Sequence, residues 1–368
     1  MTINNKTFNL IFSLFTLILL AILFYGDARH DYALYILTWK AFLNGDSYIP
    51  YNTYGPLHLV LSYLFQLHYL LPKVIFGIFF LYLNHYLFKN ILNKNEKKLV
   101  IYFFLTIPCN FLIISIVFFY GIIDSIVSFF VVFSIIFKLK KNYYLSSLFL
   151  VIATLIKIYP ILFLPFLILE KDRINIKILI TSILTIIFSL SIFSIFYGIN
   201  TIFEPFIFGG SREAKFASII ASLKIDLSNN YIILILEKYN FFVVVVSLFS
   251  IFLYCYFKKI NWLISIILSY LIILITYKVG HLQFYLGLVV ISGFLLSLDK
   301  KYLEVYKILF PLILLLSLCQ LGYSLTGGYD LSNNSTFPWS VVRDKVGYIF
   351  FLVNTVTFFR ILSISYKL

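Results

Sequence analysis

The chain has 368 residues, of which 62% are hydrophobic and 12% charged, about half the charged share of an average soluble domain. That balance excludes a water-soluble globular enzyme, because a chain of this length cannot hide so much apolar surface from water. The net charge of +14 does not point to nucleic acid, since no basic patch falls in a soluble segment of any size and the positive-inside rule accounts for the excess.

The N-terminal apolar run, Phe8 to Tyr25, follows a single basic residue, Lys6, and has no small-x-small cleavage site before Asp27. It reads as an uncleaved first span. Further apolar runs follow at 57–71, 74–92, 99–119, 122–137, 143–156, 160–170, 175–198, 241–257, 260–277, 281–298, 304–325 and 346–365. If all of them cross from an inside N-terminus, the clusters around Lys94, Lys138, Lys171, Lys258 and Lys300 fall outside, which inverts the positive-inside rule. Run 57–71 is short, carries His58, Gln66 and His68, and is bounded by Pro56 and Pro72. Read as an interfacial helix, it leaves about twelve spans, both termini cytoplasmic and most lysines inside. The expected fold is an all-α polytopic membrane protein, one integral domain over 1–368. Its outer loops lie at 26–73, 199–240 and 326–345.

The first outer loop is the densest polar segment. Residues 31–43 place Ala33, Leu34, Leu37 and Ala41 at roughly helical spacing, so an amphipathic surface helix is expected there, with Asp31 at its exposed N-terminal amides. Downstream, Lys157-Ile158-Tyr159-Pro160 breaks an apolar run, and the proline predicts a helical hairpin with its tip at the outer surface. The Ile, Phe, Lys and Asn excess fits a coding bias toward AT-rich codons, so aromatic clusters as such carry little weight. Cys109, Cys255 and Cys319 all lie inside apolar runs, which argues against a structural disulfide. His30 with Asp27 and Asp31, or His58 with His68, lacks recognised metal spacing. Gly209-Gly210-Ser211 is a loose match to a phosphate cradle without a preceding strand, and sequons occur at Asn333 and Asn334.

Several short pieces resemble one family. Asp31-Tyr32-x-x-Tyr35, then Asn44-Gly45-Asp46-x-Tyr48, then Tyr54-Gly55-Pro56-Leu57 resembles the first outer loop of GT-C superfamily glycosyltransferases. It is closest to the polyprenyl-phosphate-dependent mannosyl- and arabinosyltransferases of glycosyltransferase family 87. Tyr120-Gly121-Ile122-Ile123-Asp124 resembles their Gly-x-x-Asp turn, and Lys157-Ile158-Tyr159-Pro160 with Pro165 their Lys-x-x-Pro hairpin. Gly280-His281-Leu282-Gln283-Phe284-Tyr285 resembles their late His-x-Gln-Tyr element. Gly55-Pro56 departs from the usual double proline.

The resemblance implies a GT-C-like fold, a polyprenyl-phosphate-linked sugar donor, a glycan or glycolipid acceptor and inverting transfer at the outer face. It implies no cofactor, no metal and no nucleic acid; membrane lipid is the other partner. The base role falls on Asp31, with Asp27 second. The residues agree with that on chemical grounds. Sugar transfer to a hydroxyl needs a base for the acceptor proton, whereas a departing phosphate needs cations and no acid. Lys157, His281, Arg29 and Lys278 are the candidate phosphate ligands, and Asp124, His58, Gln283, Tyr285 and Arg212 are further site candidates. Two other classes stay open: a polymerase or ligase using a pyrophosphate-linked lipid, and a lipid or glycan transporter. The first would favour an Arg- and His-rich late loop, and the second charges at mid-membrane depth.

Overall fold

The computed structural model describes residues 5–28, 31–46, 49, 54–94, 96–170, 173–227, 230–325 and 339–367. The N-terminal half runs α1 (Asn5–Tyr25), α2 (Asp31–Asn44), α3 (Pro56–Leu67), α4 (Leu71–Leu92), α5 (Lys97–Thr106), α6 (Phe111–Ile113, continued by a π-turn to Phe119), α7 (Asp124–Leu139) and α8 (Tyr143–Ile156). A 3₁₀ turn, Tyr159–Phe163, leads into α9 (Leu164–Leu167), α10 (Ile176–Tyr197), α11 (Asn200–Ser211), α12 (Ile219–Asp226) and α13 (Tyr231–Lys238). The chain closes with α14 (Asn240–Phe257), α15 (Trp262–Thr276), α16 (Leu286–Leu295), α17 (Lys301–Leu325) and α18 (Trp339–Ile364). The strands, β1 (Lys215–Phe216) and β2 (Val279–Gly280), pair in parallel with Lys215 opposite Val279 and Phe216 opposite Gly280.

Among the described residues, 6 helices are long and apolar enough to cross a membrane: 71–92, 97–119, 176–197, 240–257, 301–324 and 345–364. Three other expected spans, Tyr143–Ile156, Trp262–Thr276 and Leu282–Leu295, are shorter apolar helices. The protein is thus all-α and membrane-spanning; among the described residues, fewer helices reach full span length than there are apolar runs. Run 99–119 keeps its full length across Pro108, because the Asn110 side chain accepts the Leu112 amide and opens a new helix that continues to Phe119. Pro160 and Pro165 reduce run 160–170 to a 3₁₀ turn and four helical residues. The 199–240 segment, expected as a loop, holds three helices.

The two ends of the bundle carry different chemistry. At one end Lys138 donates to the carbonyls of Leu167 and Leu169 and sits 3.9 Å over the Trp262 ring. Lys94 donates to the Leu298 carbonyl, and Lys300 pairs with Glu96 at 3.2 Å. Asn261, next to Trp262, donates to the Tyr302 hydroxyl (3.2 Å), close in sequence to Lys300, so Lys94, Lys138 and Lys300 gather at one end. At the other end Lys157 reaches Asp124, the first residue of α7. Lys138 is at the far end of α7, about 21 Å away at 1.5 Å per residue. The chain covers that distance between Lys157 and Leu167, so the segment after Pro160 does return along α7.

The same bookkeeping places α3. Gly55, its N-cap, donates its amide to the Ile156 carbonyl beside Lys157 (2.9 Å). Just past its other end, Tyr69 donates to Asp27 (2.9 Å), and Lys73 donates to the carbonyls of Asp27 (2.8 Å) and Phe119 (2.6 Å). Both ends of α3 therefore lie at the Asp124 end, and α3 lies across the bundle rather than through it.

Candidate functional site

Helix α2 forms where the spacing predicted. Tyr32, Tyr35, Thr38, Trp39 and Ala41 are buried, whereas Leu37 is 48% exposed. The face packed into the bundle is aromatic, and each ring buries a large apolar area and finds edge-on partners. Tyr35 stands 5.1 Å from both Tyr54 and His58, and Trp39 lies 5.3 Å from His58. The Tyr54 hydroxyl donates to the Tyr35 hydroxyl (3.3 Å), which also accepts the Ile123 amide (3.3 Å). These contacts clamp α2 against the Gly121–Asp124 turn and bring Asp31, the first residue of α2, within electrostatic range of Asp124 and Tyr35.

The turn itself depends on glycine. Gly121 has φ +65°, and a Cβ there would lie 2.4 Å from Cγ of Lys73. Gly121→Ala is expected to lower the unfolding temperature in detergent, since the left-handed backbone costs an L-residue about 1–2 kcal/mol before any clash. An unchanged melting curve would contradict this packing.

At the centre of this end, Lys157 Nζ donates to both oxygens of Asp124, at 2.9 and 2.7 Å. Their side chains are 12% and 1% exposed, so Asp124 is buried and Lys157 keeps slight contact with the surface. The ammonium lies 4.8 Å from the Phe284 ring, 5.6 Å from Tyr54 and 5.7 Å from Tyr159. Asp124 thus has a specific partner beyond the helix N-terminus, and Lys157 is held in an aromatic cage rather than extended toward the interface. The sequence pointed to the two charges but not to the cage of Tyr54, Tyr159 and Phe284. The one local signal was that all three rings sit inside the quoted motifs, Tyr159 beside Lys157 and Phe284 beside His281.

Beyond Phe284 is a second basic group. His281 packs edge-on to Phe284 at 5.3 Å and meets Arg212 Nη2 at 2.8 Å. A guanidinium has only donors, so His281 Nε2 accepts and the positive charge here belongs to Arg212. The β1–β2 pairing holds this contact in place by joining the segment after Arg212 to the segment before His281. Lys278 donates its amide to Asn240 (2.9 Å) and its ammonium to the Glu237 carbonyl (3.3 Å). Burial holds the Lys278 ammonium below its usual pKa against the pull of Glu237. Glu237 accepts the Ala214 amide (2.6 Å) and Lys224 (3.0 Å). Burial would raise its carboxyl, but these two contacts outweigh it and leave the pKa lowered.

The remaining candidates fall elsewhere. Asp27 has φ +47°, and its carboxylate accepts from Tyr69 in an exposed position. Tyr285 accepts from Asn354 (2.6 Å) and packs on Phe350 inside the bundle, and Gln283 is 9% exposed beside it in sequence. Arg29 and His30 lie outside the described residues, as do Asn333 and Asn334. Gly209–Ser211 form the last turn of α11. A helix C-terminus presents carbonyls rather than amides, so that segment offers no phosphate cradle. Among the described residues, no three His, Cys, Asp or Glu side chains come together. The three cysteines are free.

His58 is fully buried, and neither ring nitrogen has a hydrogen-bond partner among the described residues. Burial, with the Lys157 ammonium nearby, pushes its imidazole from 6.5 down to about 3. A folded pKa below the unfolded one gives stability that is complete above about pH 6.5 and is lost as pH falls toward 3. The loss approaches about 1.4 kcal/mol per pH unit. Thermal unfolding in detergent between pH 7 and 4 should show this slope, and His58→Phe should flatten it. Equal slopes would place the titration elsewhere.

Residues 52–221 match the family model for Glycosyltransferase family 87. By that match the chain is a membrane glycosyltransferase. The matched segment is just under half of the chain and contains His58, Asp124, Lys157 and Arg212; Asp31, Lys278 and His281 lie outside it. No curated protein matches the chain at a significant level. The glycosyltransferase's charged side chains at the Asp124 end come from six separate stretches of sequence: Asp27 with Asp31, then Lys73, Asp124, Lys157, Arg212 and Lys278.

Proposed function

We propose that this glycosyltransferase takes one sugar from a polyprenyl-phosphate carrier and transfers it, with inversion, to a hydroxyl of a glycan or glycolipid on the extracytoplasmic face. Asp31 is the base and Asp27 the second carboxylate. Lys157 and Arg212, with His281 and Lys278 beside them, receive the phosphate. The observation that carries this reading is the Lys157 ammonium. It is enclosed by aromatic rings at one end of the bundle, with a buried carboxylate behind it, Asp31 in range and the Arg212 guanidinium across Phe284. Negative charge grows on the bridging oxygen as the sugar departs, and a caged cation with little freedom to lose stabilises that charge.

Asp124 is fully occupied by Lys157 and buried, which suits a counter-charge better than a proton acceptor. Asp31 is partly exposed and at a helix N-terminus, where it can meet an acceptor hydroxyl. The direct test is sugar transfer by the purified full chain, supplied with polyprenyl-phosphate sugars or with pyrophosphate-linked donors. Transfer from the pyrophosphate-linked donors alone would move the protein to the polymerase or ligase class.

The reading also commits to sidedness. In a chain whose native cysteines are replaced by serine, a single cysteine at Asn44 should react with an impermeant thiol reagent on intact cells. One at Lys140 should react only after permeabilisation. The reverse pattern would put the Asp31 end in the cytoplasm and exclude an extracytoplasmic reaction.

A further inference from the structure

We propose that the lysine-rich end of the bundle carries a binding site for an anionic phospholipid, at the corner where α7, α8 and α10 meet. It rests on a feature unrelated to the transfer site. A cavity of about 310 Å³ opens there, lined by Lys140, Lys141, Asn142, Tyr143, Tyr144 and Lys177. These residues belong to two turns that begin helices. Asn142 caps α8 by accepting the Leu145 amide, and Asn175 caps α10 by accepting the Ile178 amide.

The lysines here differ from others at the same end. Lys94, Lys138 and Lys300 are taken up by carbonyls or a carboxylate. Lys140 instead lies over aromatic rings, 5.6 Å from Tyr86 and 5.9 Å from Phe137. Among the described residues, no carboxylate pairs with Lys140, Lys141 or Lys177. Glu170, beside this corner, is occupied by Arg173 (2.9 Å) and Asn175 (2.6 Å) and also meets the hydroxyl of Tyr143 in the lining. Three ammonium groups around one opening, with the first amides of two helices beside them, favour a phosphate.

A lipid rather than a free anion is indicated by what adjoins the cavity. Helices α8 and α10 are tied together by the Ser147 hydroxyl donating to the Ile178 carbonyl (3.1 Å). From the cavity, exposed apolar side chains run along both helices. Tyr144 and Leu148 are 67% and 40% exposed, and Ile176, Ile180 and Leu184 are 62%, 51% and 62% exposed. Helix α10 is a 22-residue candidate span with only 17% of its window buried, so this face meets acyl chains. A phosphate in the cavity and acyl chains on this face describe one glycerophospholipid in the adjoining leaflet.

The test uses the full chain in nanodiscs of phosphatidylcholine containing a minority of spin-labelled phosphatidylglycerol. The wild-type protein should immobilise the anionic label more than a phosphatidylcholine label. Attraction of a juxtamembrane lysine to anionic lipid corresponds to roughly five-fold per residue. Lys140→Ala/Lys141→Ala/Lys177→Ala should therefore lose affinity by on the order of a hundredfold, while the triple arginine variant keeps it. Lys97→Ala/Lys98→Ala, at the same end, should have little effect. Equal losses in the two alanine variants would reduce the effect to general surface charge and overturn the site. Displacement of the label by millimolar inorganic phosphate would overturn the lipid assignment in favour of a free-anion site.

Discussion

Asp31→Asn is expected to abolish sugar transfer while the protein folds and purifies as the wild type does. Asparagine keeps the shape of the side chain and the helix start but cannot accept the acceptor's proton. Loss of a general base typically removes about 10²–10⁴ in rate. The folding expectation follows from position. Asp31 is partly exposed at the first turn of α2, and the clamp that holds α2 is made by Tyr32, Tyr35 and Trp39. Removing one N-terminal charge costs only several tenths of a kcal/mol. Asp27→Asn should do less to the rate, because the Asp27 carbonyl, which anchors Lys73, is unchanged. Initial rates at saturating donor, beside a melting curve, decide the matter. Near wild-type turnover by the Asp31 variant would remove Asp31 from the mechanism.

Lys157→Ala is expected to do two separable kinds of damage. The substitution strands a carboxylate that is 1% exposed, and breaking a buried pair from one side costs about 3–5 kcal/mol. It also removes the caged cation, and a charged hydrogen bond contributes about 1.5–3 kcal/mol. That corresponds to roughly a ten- to hundredfold loss in kcat/KM. Asp124→Asn/Lys157→Gln separates the two, because it neutralises both partners and keeps their volume. The double variant should recover most of the melting temperature lost by Lys157→Ala but not its kcat/KM. Recovery of transfer with the fold would make Lys157 a purely structural residue and leave Arg212 to hold the phosphate.

The membrane-spanning character was legible in the sequence, because apolar runs of span length have no soluble alternative. Helix positions followed closely, since proline, glycine and asparagine act on the backbone locally. Run 143–156 is matched by α8 residue for residue. The lysine clusters were equally legible as one-sided, because the cost of placing charge across a membrane acts on each loop separately. How the runs divide into full-length and short spans was not, since a proline's effect on a span depends on what packs beside the break.

The site was legible only as separate pieces. The sequence marks Asp124 and Lys157 as polar residues at the ends of apolar runs and Asp31 as the start of a surface helix, but it carries no term for which of them meet. Tertiary packing decided that Asp124 faces Lys157, 33 residues away, and that Arg212 meets His281 across 69. It also decided which face α2 buries. The rings of Tyr35 and Trp39 face the bundle because Tyr54 and His58, brought in from the far end of the loop, present aromatic partners. Local patterns set the elements because their cause is local. The pairing of charges and rings was left to the fold because burial makes a partner necessary without specifying its place in the chain.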